Sequence, residues 1–246
     1  MSGHSKWATT KRKKWAEDAK RSAVFTKLAN AITIAARRGG DPATNFALRI
    51  AVEKAKSASM PKENIEKAIK RGTGEGGGAA IEEIIYEGYG PGGVAILILC
   101  LTDNRQRTIS SIRAVFNRFG GSLAEAGSVS YLFEKVGQII IEKKSKIQSP
   151  NDKIKTQEQI EELIINSGAD NFEVEGEDII VYTALDRLQA VAKYFEDAGI
   201  KIESSEATYL PKATVEISQE KQVALNNLLE ALDNLDDVSE VFSNIN

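Results

Sequence analysis

The spacing of apolar residues divides the chain into a helical first third and a mixed remainder. Residues 16–71 carry apolar positions at helical spacing. Glycine and proline mark the helix ends, because proline fits the first turn of a helix and glycine favours its termination. Three helices are predicted, one ending before Gly39-Gly40, one from near Thr44 to Ser57, and one from Pro61 to Gly72. The glycine-rich stretch Arg71–Gly78 is then predicted to be a flexible linker.

Beyond this linker, strand patterns alternate with helix patterns. Strands are predicted at 94–101, 129–133, 138–143, 172–175, 178–182, 200–203, 214–217 and 238–242, and helices at 108–119, 156–167, 186–198 and 219–232. Residues 137–205 therefore follow the order β-α-β-β-α-β, which is the ferredoxin-like order. The flanking β-α-β segments would combine into a second unit of this kind, interrupted by the first.

The predicted fold class is α+β, with an N-terminal basic helical domain followed by two ferredoxin-like α/β domains, one inserted in the other. The expected domains are residues 1–75, residues 79–135 plus 206–246, and the insert 136–205. The alternative is a pair of independent α+β domains in series.

Charge is strongly segregated along this chain. The whole sequence has 32 Lys+Arg against 35 Asp+Glu, a net charge of -3. Residues 1–74 hold 17 against 6, a net of +11, and residues 75–246 hold 15 against 29, a net of -14. A segment so basic repels itself unless a polyanion neutralises it, which favours nucleic-acid binding. The alternative is a solvated basic surface with no specific partner.

Composition argues against a metal site and against an enzyme. One histidine and one cysteine are too few for a zinc site, which takes about four such ligands. A nuclease would need clustered carboxylates to hold Mg²⁺, whereas the acidic residues here are scattered. No secretory signal is seen, and the apolar run Val94–Leu101 is far shorter than a membrane span. We therefore expect a cytoplasmic, non-enzymatic protein without a cofactor or a small-molecule substrate and not bound to a membrane.

The opening run Gly3–Trp15 combines cations with aromatic residues. Five cations lie within nine residues, flanked by two tryptophans that can stack on bases: Lys6, Lys11, Arg12, Lys13 and Lys14, with Trp7 and Trp15. This pattern indicates contacts to phosphates and bases. The alternative is a solubilising or targeting tail.

Two further motifs surround the predicted strand 94–101. TDNRQRT at Thr102–Thr108 places Arg105 and Arg107 in the first turn of a helix, where the helix dipole disfavours cations. An anion bound by both guanidinium groups would explain this, and ion pairs with nearby carboxylates are the alternative. EGYGPGG at Glu87–Gly93 matches G-x-G-x-x-G but precedes a strand, so we reject a dinucleotide site and expect a tight turn.

These motifs together resemble the YebC/PmpR family, whose mitochondrial relatives are translational activators of cytochrome oxidase. The resemblance is dense over residues 1–133 and rests on seven stretches: GHSKW at Gly3–Trp7, DAKR at Asp18–Arg21, FTKL at Phe25–Leu28, AARRGGDP at Ala35–Pro42, MPKENIEKAIKRGTG at Met60–Gly74, YEGYGPGGVA at Tyr86–Ala95, and TDNRQRT. It implies three domains, the third inserted in the second, and a non-enzymatic role in gene expression. Family members are described as DNA-binding transcriptional regulators, and others as ribosome-associated factors that help translation of proline runs.

The expected function is that of a nucleic-acid-binding regulator of gene expression, with DNA-binding transcriptional regulation as the first interpretation. The alternative is a ribosome-associated RNA-binding factor that assists synthesis of difficult stretches. The expected partner is accordingly DNA, or ribosomal or messenger RNA with the ribosome. The candidate nucleic-acid-binding residues are His4, Lys6, Trp7, Lys11, Arg12, Lys13, Lys14, Lys20, Arg21, Lys27, Arg37, Arg38, Lys70, Arg71, Asn104, Arg105 and Arg107.

We expect the double substitution Lys11→Glu with Arg12→Glu to weaken binding to both DNA and RNA. Each lost phosphate contact removes counterion release, which contributes to affinity regardless of base sequence. Fluorescence anisotropy with one duplex and one RNA at ~150 mM salt measures the effect. Unchanged affinity for both would show that the opening run makes no contact.

Overall fold

A computed structural model of the chain describes residues 21–77, 79–142, 157–176 and 178–246. Its contacts divide the protein into two compact units. The first contains the described residues up to Glu134 together with Leu210–Asn246, and the second is Lys135–Tyr209. No helix in the described ranges combines the length and the apolar character needed to cross a membrane.

Three helices come first among the described residues of the first unit. They are α1 at Arg21–Ala36, α2 at Phe46–Ser57 and α3 at Lys62–Thr73, close to the three predicted. Their shared core is formed by apolar residues spaced along each helix, including Leu28, Ile32, Leu48, Ile65 and Ala68. The N-cap of α3 is Pro61, and the C-cap Gly74 is left-handed at φ 86°, as the proline and glycine positions indicate.

A close approach between α1 and α3 depends on Gly72. A Cβ atom at this position would lie 2.4 Å from the carbonyl oxygen of Thr33 and 2.6 Å from the Cβ of Ala36. The Thr33 hydroxyl lies 3.1 Å from the carbonyl oxygen of Ala68. The two helix backbones therefore touch at a place where no side chain fits.

The same unit contains a four-stranded antiparallel sheet with two helices on one face. The strands are β1 at Glu82–Tyr89, β2 at Ala95–Thr102, β3 at Ser122–Ala124 and β8 at Val238–Ser243, in the order β3-β1-β2-β8. The helices are α4 at Arg105–Phe119 and α7 at Gln219–Asp233. Ile96, Ile98 and Cys100 alternate along β2 and pack with Phe116 of α4 and Leu229 of α7.

The second unit has the predicted β-α-β-β-α-β order. Its elements are β4 at Phe133–Glu142, α5 at Gln157–Asn166, β5 at Asn171–Glu175, β6 at Asp178–Thr183, α6 at Leu188–Asp197 and β7 at Ile202–Pro211. The sheet order β5-β6-β4-β7 is the ferredoxin-like order. The α+β fold class is thus confirmed.

Several predicted elements of the first unit were wrong in detail. Strand β1 was missed, so the order is β-β-α-β before the insert instead of β-α-β. In the strand predicted at 129–133, residues 130–132 instead form a 3-10 turn ahead of β4. In place of the strand predicted at 214–217 there is only an isolated bridge from Val215 to Ile245. The first three residues of the predicted linker, Arg71–Thr73, belong to α3. The three-domain boundaries stay a prediction.

The EGYGPGG motif is a site of close packing. A Cβ at Gly88 would lie 2.5 Å from Cζ of Phe116, and one at Gly90 would lie 2.8 Å from Cδ1 of Leu225. Gly92 and Gly93 have φ of 84° and 76°, in the left-handed region that favours glycine. The expectation of a tight turn with close backbone approach is confirmed.

Glu87, the first residue of this motif, is a buried carboxylate that fixes a loop. It is 5% exposed and accepts backbone N–H bonds from Gly127 at 2.7 Å, Val129 at 2.6 Å and Ser130 at 2.9 Å. Burial acts to raise the pKa of Glu87, but the three backbone donors outweigh it and hold the pKa below its ordinary value. The ionised form therefore stabilises the fold.

We expect Glu87→Gln to lower the free energy of unfolding at neutral pH by about 1–3 kcal/mol, because a charged acceptor of three bonds is lost. The pKa of Glu87 in the folded protein lies below its ordinary value of 4.5. The stabilisation by the carboxylate is therefore fully present above pH 4.5 and is lost as the pH falls towards and through the folded pKa. Urea unfolding of the wild type and of Glu87→Gln from neutral to acidic pH measures the difference between their free energies of unfolding. This difference should narrow as the pH falls. Glu83→Gln, at an exposed position of the same strand, is the control, and a pH-independent difference would contradict the prediction.

Candidate nucleic-acid interface

The candidate residues fall into three groups in the structure. Eight lie outside the described residues: His4, Lys6, Trp7, Lys11, Arg12, Lys13, Lys14 and Lys20. Arg21 is the first described residue and belongs to α1. The others lie in the first unit. Arg71, Asn104 and Arg107 come together there, and Arg37, Arg38 and Lys70 lie on or beside the three helices of residues 21–74, which we call the helical segment.

Lys27 is a structural contact between α1 and the end of α7. Its side chain is only 12% exposed. The ammonium donates to the backbone oxygen of Asp233 and lies 3.2 Å from the Asp233 carboxylate. A lysine ammonium at a helix C-terminus also meets the negative end of the helix dipole. A phosphate would have to break these contacts in order to bind Lys27.

Arg37 and Arg38 follow α1 and differ in their contacts. The Arg37 guanidinium donates to the backbone oxygen of Ile81, just before β1. Arg38 is exposed and forms no ion pair with any residue that the structure describes. The turn between them and α2 is fixed by Asn45, whose amide donates to the carbonyl oxygens of Ala35 and Gly39, each at 2.8 Å.

Four charged residues form an arginine–aspartate network, Arg71, Asp103, Arg107 and Asp237. Arg71 Nη2 lies 3.0 Å from Asp103. Arg107 Nη2 lies 3.1 Å from Asp103 and 2.6 Å from Asp237. The network joins α3 to the β2–α4 loop, to α4 and to the turn before β8.

The pKa values of Asp103 and Arg107 both favour the charged forms of these two side chains. The hydrogen bond from Arg71, followed by that from Arg107, holds the pKa of Asp103 below its ordinary value although burial opposes this. The hydrogen bond to Asp237 raises the pKa of Arg107. Arg71 and Arg107 are therefore already occupied by carboxylate oxygens.

The uncharged residues of TDNRQRT complete the network and cap α4. Asn104 accepts the backbone N–H of Arg107 at 3.0 Å through its side chain. Thr108 Oγ1 lies 2.9 Å from Asp237 and 2.8 Å from Thr102 Oγ1. Thr102 Oγ1 in turn accepts the backbone N–H of Asn104 at 2.9 Å. These side chains of the motif therefore already have partners within the first unit.

Arg105 forms a separate surface ion pair. Its guanidinium lies 2.5 Å from the Glu82 carboxylate, with the two side chains 69% and 48% exposed. The ion-pair alternative given for Arg105 and Arg107 is therefore what the structure shows. Arg105 remains the more accessible of the two, because its single partner is also exposed to solvent.

The remaining basic surface lies on the helical segment. Its exposed cations whose side chains form neither an ion pair nor a hydrogen bond with the described residues are Arg38, Lys56, Lys67 and Lys70. The candidate residues include neither Lys56 nor Lys67, although the spacing of Lys67 and Lys70 along α3 places them on neighbouring outward positions. Glu63 and Glu66 are also exposed on α3, so this surface mixes charges of both signs. In the described part of the chain, no cluster of three or more histidine, cysteine or acidic residues could hold a metal ion.

We expect Arg107→Ala to lower the free energy of unfolding by about 1–2 kcal/mol, because it leaves the shielded Asp237 carboxylate without its cation. Arg105→Ala should change it by less than about 0.5 kcal/mol, since that pair is exposed. Urea unfolding of the two variants provides the comparison. Equal effects would mean that Asp237 does not depend on Arg107.

Comparisons with known proteins cover nearly the whole chain. Residues 5–75 match the family described as "TACO1/YebC protein N-terminal domain", and residues 81–245 match "TACO1/YebC second and third domain". The chain is 47% identical over 246 residues to a probable transcriptional regulatory protein of Thermoanaerobacter pseudethanolicus, covering 100% of this chain and 97% of that protein. It is 48% identical over 245 residues to one of Acidithiobacillus ferrooxidans, covering 99% and 94%.

A solved structure is similar in fold as well as in sequence. The crystal structure of a conserved hypothetical protein from Aquifex aeolicus matches with a TM-score of 0.82 and 43% identity, covering 93% of this chain and 91% of that one. The resemblance read from the motifs is confirmed over both halves of the sequence. This chain belongs to the TACO1/YebC family.

Proposed function

We propose that this chain regulates gene expression by binding nucleic acid, as a DNA-binding transcriptional regulator, and that it catalyses no reaction itself. The observation that carries the proposal is the charge excess of the helical segment. Residues 21–74 hold 11 Lys+Arg against 4 Asp+Glu, and the exposed cations among them include four without ion pairs. The relatives above are named probable transcriptional regulatory proteins, which supports the regulatory role.

The chemistry of this surface suits backbone contacts better than base readout. Lysine and arginine side chains on an exposed helix neutralise phosphates and position a protein on nucleic acid, but phosphate contacts carry no sequence information. Target choice would therefore depend on other contacts or on the shape of the nucleic acid.

A second candidate is an RNA-binding factor that acts on the ribosome. The acidic second unit favours it, because its described residues hold 13 Asp+Glu against 4 Lys+Arg. A ribosome presents RNA phosphates and cationic protein surfaces side by side, so a basic segment and an acidic unit could both find partners there.

Crosslinking in cells distinguishes the two candidates. After crosslinking, the protein is purified and its bound nucleic acid is sequenced. Enrichment of chromosomal fragments supports transcriptional regulation, and co-purification with ribosomal RNA supports the translational role. Recovery of neither class above a mock purification would contradict the proposal.

We expect Lys67→Glu with Lys70→Glu to weaken binding to duplex DNA and to RNA. For DNA, the plot of log affinity against log salt should become less steep by about 2, because about one unit of slope is lost with each phosphate contact. The control is Lys193→Glu with Lys201→Glu, which makes the same charge change at exposed positions of the second unit. Anisotropy titrations at several salt concentrations measure both. Equal effects of the two variants would show that only net charge matters.

A further inference from the structure

Helix α4 carries positive charge within an otherwise acidic part of the chain. It contains four arginines and no aspartate or glutamate, whereas the rest of residues 75–246 hold 11 Lys+Arg against 29 Asp+Glu. Arg105 and Arg107 are paired with carboxylates. Arg113 and Arg118 are exposed and form no ion pair with any residue that the structure describes. Their charge is therefore available to a partner, and it favours an anionic one.

The exposed side of α4 presents a straight row of polar side chains. Thr108, Ile112 and Phe116 are buried. Spacings of four, three and four residues place four exposed side chains along one line of the helix, away from the buried ones. We call these residues the α4 row: Gln106, Ser110, Arg113 and Asn117. At 1.5 Å per residue the row is about 16 Å long, which matches about five nucleotides along one strand of duplex DNA.

The side chains of the α4 row are types that read base edges. An arginine donates two hydrogen bonds to guanine, and glutamine or asparagine forms two with adenine. Lysine binds phosphate as a point charge, and α4 contains none. The α4 row therefore differs in chemistry from the lysines of the helical segment, which suit phosphate contacts.

The shape and chemistry of α4 favour duplex DNA over RNA or a single strand. The major groove of B-DNA admits an α-helix, whereas that of an RNA duplex is too deep and narrow for side chains to read. Single strands are held by aromatic side chains that stack on bases. Helix α4 exposes no such ring, since Phe116 is buried and Phe119 is half-buried.

The neighbouring helix α7 leaves room for a polyanion beside α4. The two helices pack together on the same face of the first sheet. Between Lys221 and Glu230 the exposed side chains of α7 are uncharged: Gln222, Val223, Asn226 and Asn227. A DNA strand that passes over this part of α7 therefore meets no carboxylate of that helix.

We propose that the α4 row reads base edges in the major groove of duplex DNA, with Arg113 at a guanine and Arg118 at a flanking phosphate. This inference rests on the proposed function and supplies the base contacts that the helical segment lacks. Arg118 follows Asn117 by about 100° around the helix, so it lies beside the row and not on it. The arginine–aspartate network joins α3 to the first turn of α4. Phosphate contacts along α3 and base contacts along α4 therefore keep a fixed spacing.

The test selects short DNA duplexes from a random-sequence pool with the purified full-length protein and sequences the enriched ones. The wild type is expected to enrich a motif that contains guanine. In anisotropy titrations it should bind the enriched duplex about fivefold or more tightly than a duplex of shuffled sequence, the discrimination of one good base contact. Arg113→Ala should remove this preference. Gln106→Ala with Asn117→Ala should also remove it while the net charge and the affinity for the shuffled duplex stay unchanged.

The matched controls alter the same chemical groups on the second unit. Asn166→Ala with Gln189→Ala removes two exposed helical amides, and Lys201→Ala removes one exposed cation. Both should keep the preference, and thermal melting shows that all variants are folded. No enriched motif, a preference unchanged in either α4 variant, or a preference lost equally in the controls would overturn the inference and leave the proposed function standing. Failure of the wild type to bind any duplex would overturn both.

Discussion

The packing of α1 on two sides constrains the rest of the first unit. Leu28 and Ile32 contact the apolar faces of α2 and α3. Elsewhere on the helix, the Asn30 amide donates to the Leu101 carbonyl oxygen at 3.1 Å, and Lys27 reaches Asp233. A helix covered on more than one side cannot rotate or slide without losing contacts on each. The helical segment is therefore fixed against the first sheet, and its exposed cations keep a constant position relative to that sheet.

The network around TDNRQRT shows that basic residues in a sequence are not all available to a partner. Arg71 and Arg107 carry two of the positive charges that suggested nucleic-acid binding, yet each is paired with a carboxylate. Exposed cations without a partner, such as Lys67 and Lys70, carry the accessible charge. An electrostatic surface inferred from composition alone would overstate the accessible positive charge near β2.

The helices were predictable because their ends are marked by local chemistry. Pro61 and Gly74 bound α3, and Asn104 caps α4 through its own side chain. Strand β1 was not predictable in the same way, since its glycine and its three glutamates lower strand propensity. Only the tertiary contacts of Gly88 and Glu87 explain why these residues occur in the strand. The partner of Arg107 is Asp237, 130 residues away, and no local pattern identifies such a pair. Gly40 likewise lies close to Thr73 of α3, a contact that arises only from the packing of the folded helices.

The strands that lead into and out of the second unit are neighbours in its sheet. Strands β4 and β7 are adjacent, and at the start and end of the unit the Lys135 ammonium lies 5.4 Å from the centre of the Tyr209 ring. A unit whose two ends lie side by side can be gained, lost or exchanged during evolution without rerouting the host chain. If the second unit were absent, a short hairpin turn in its place would connect the two chain segments of the first unit.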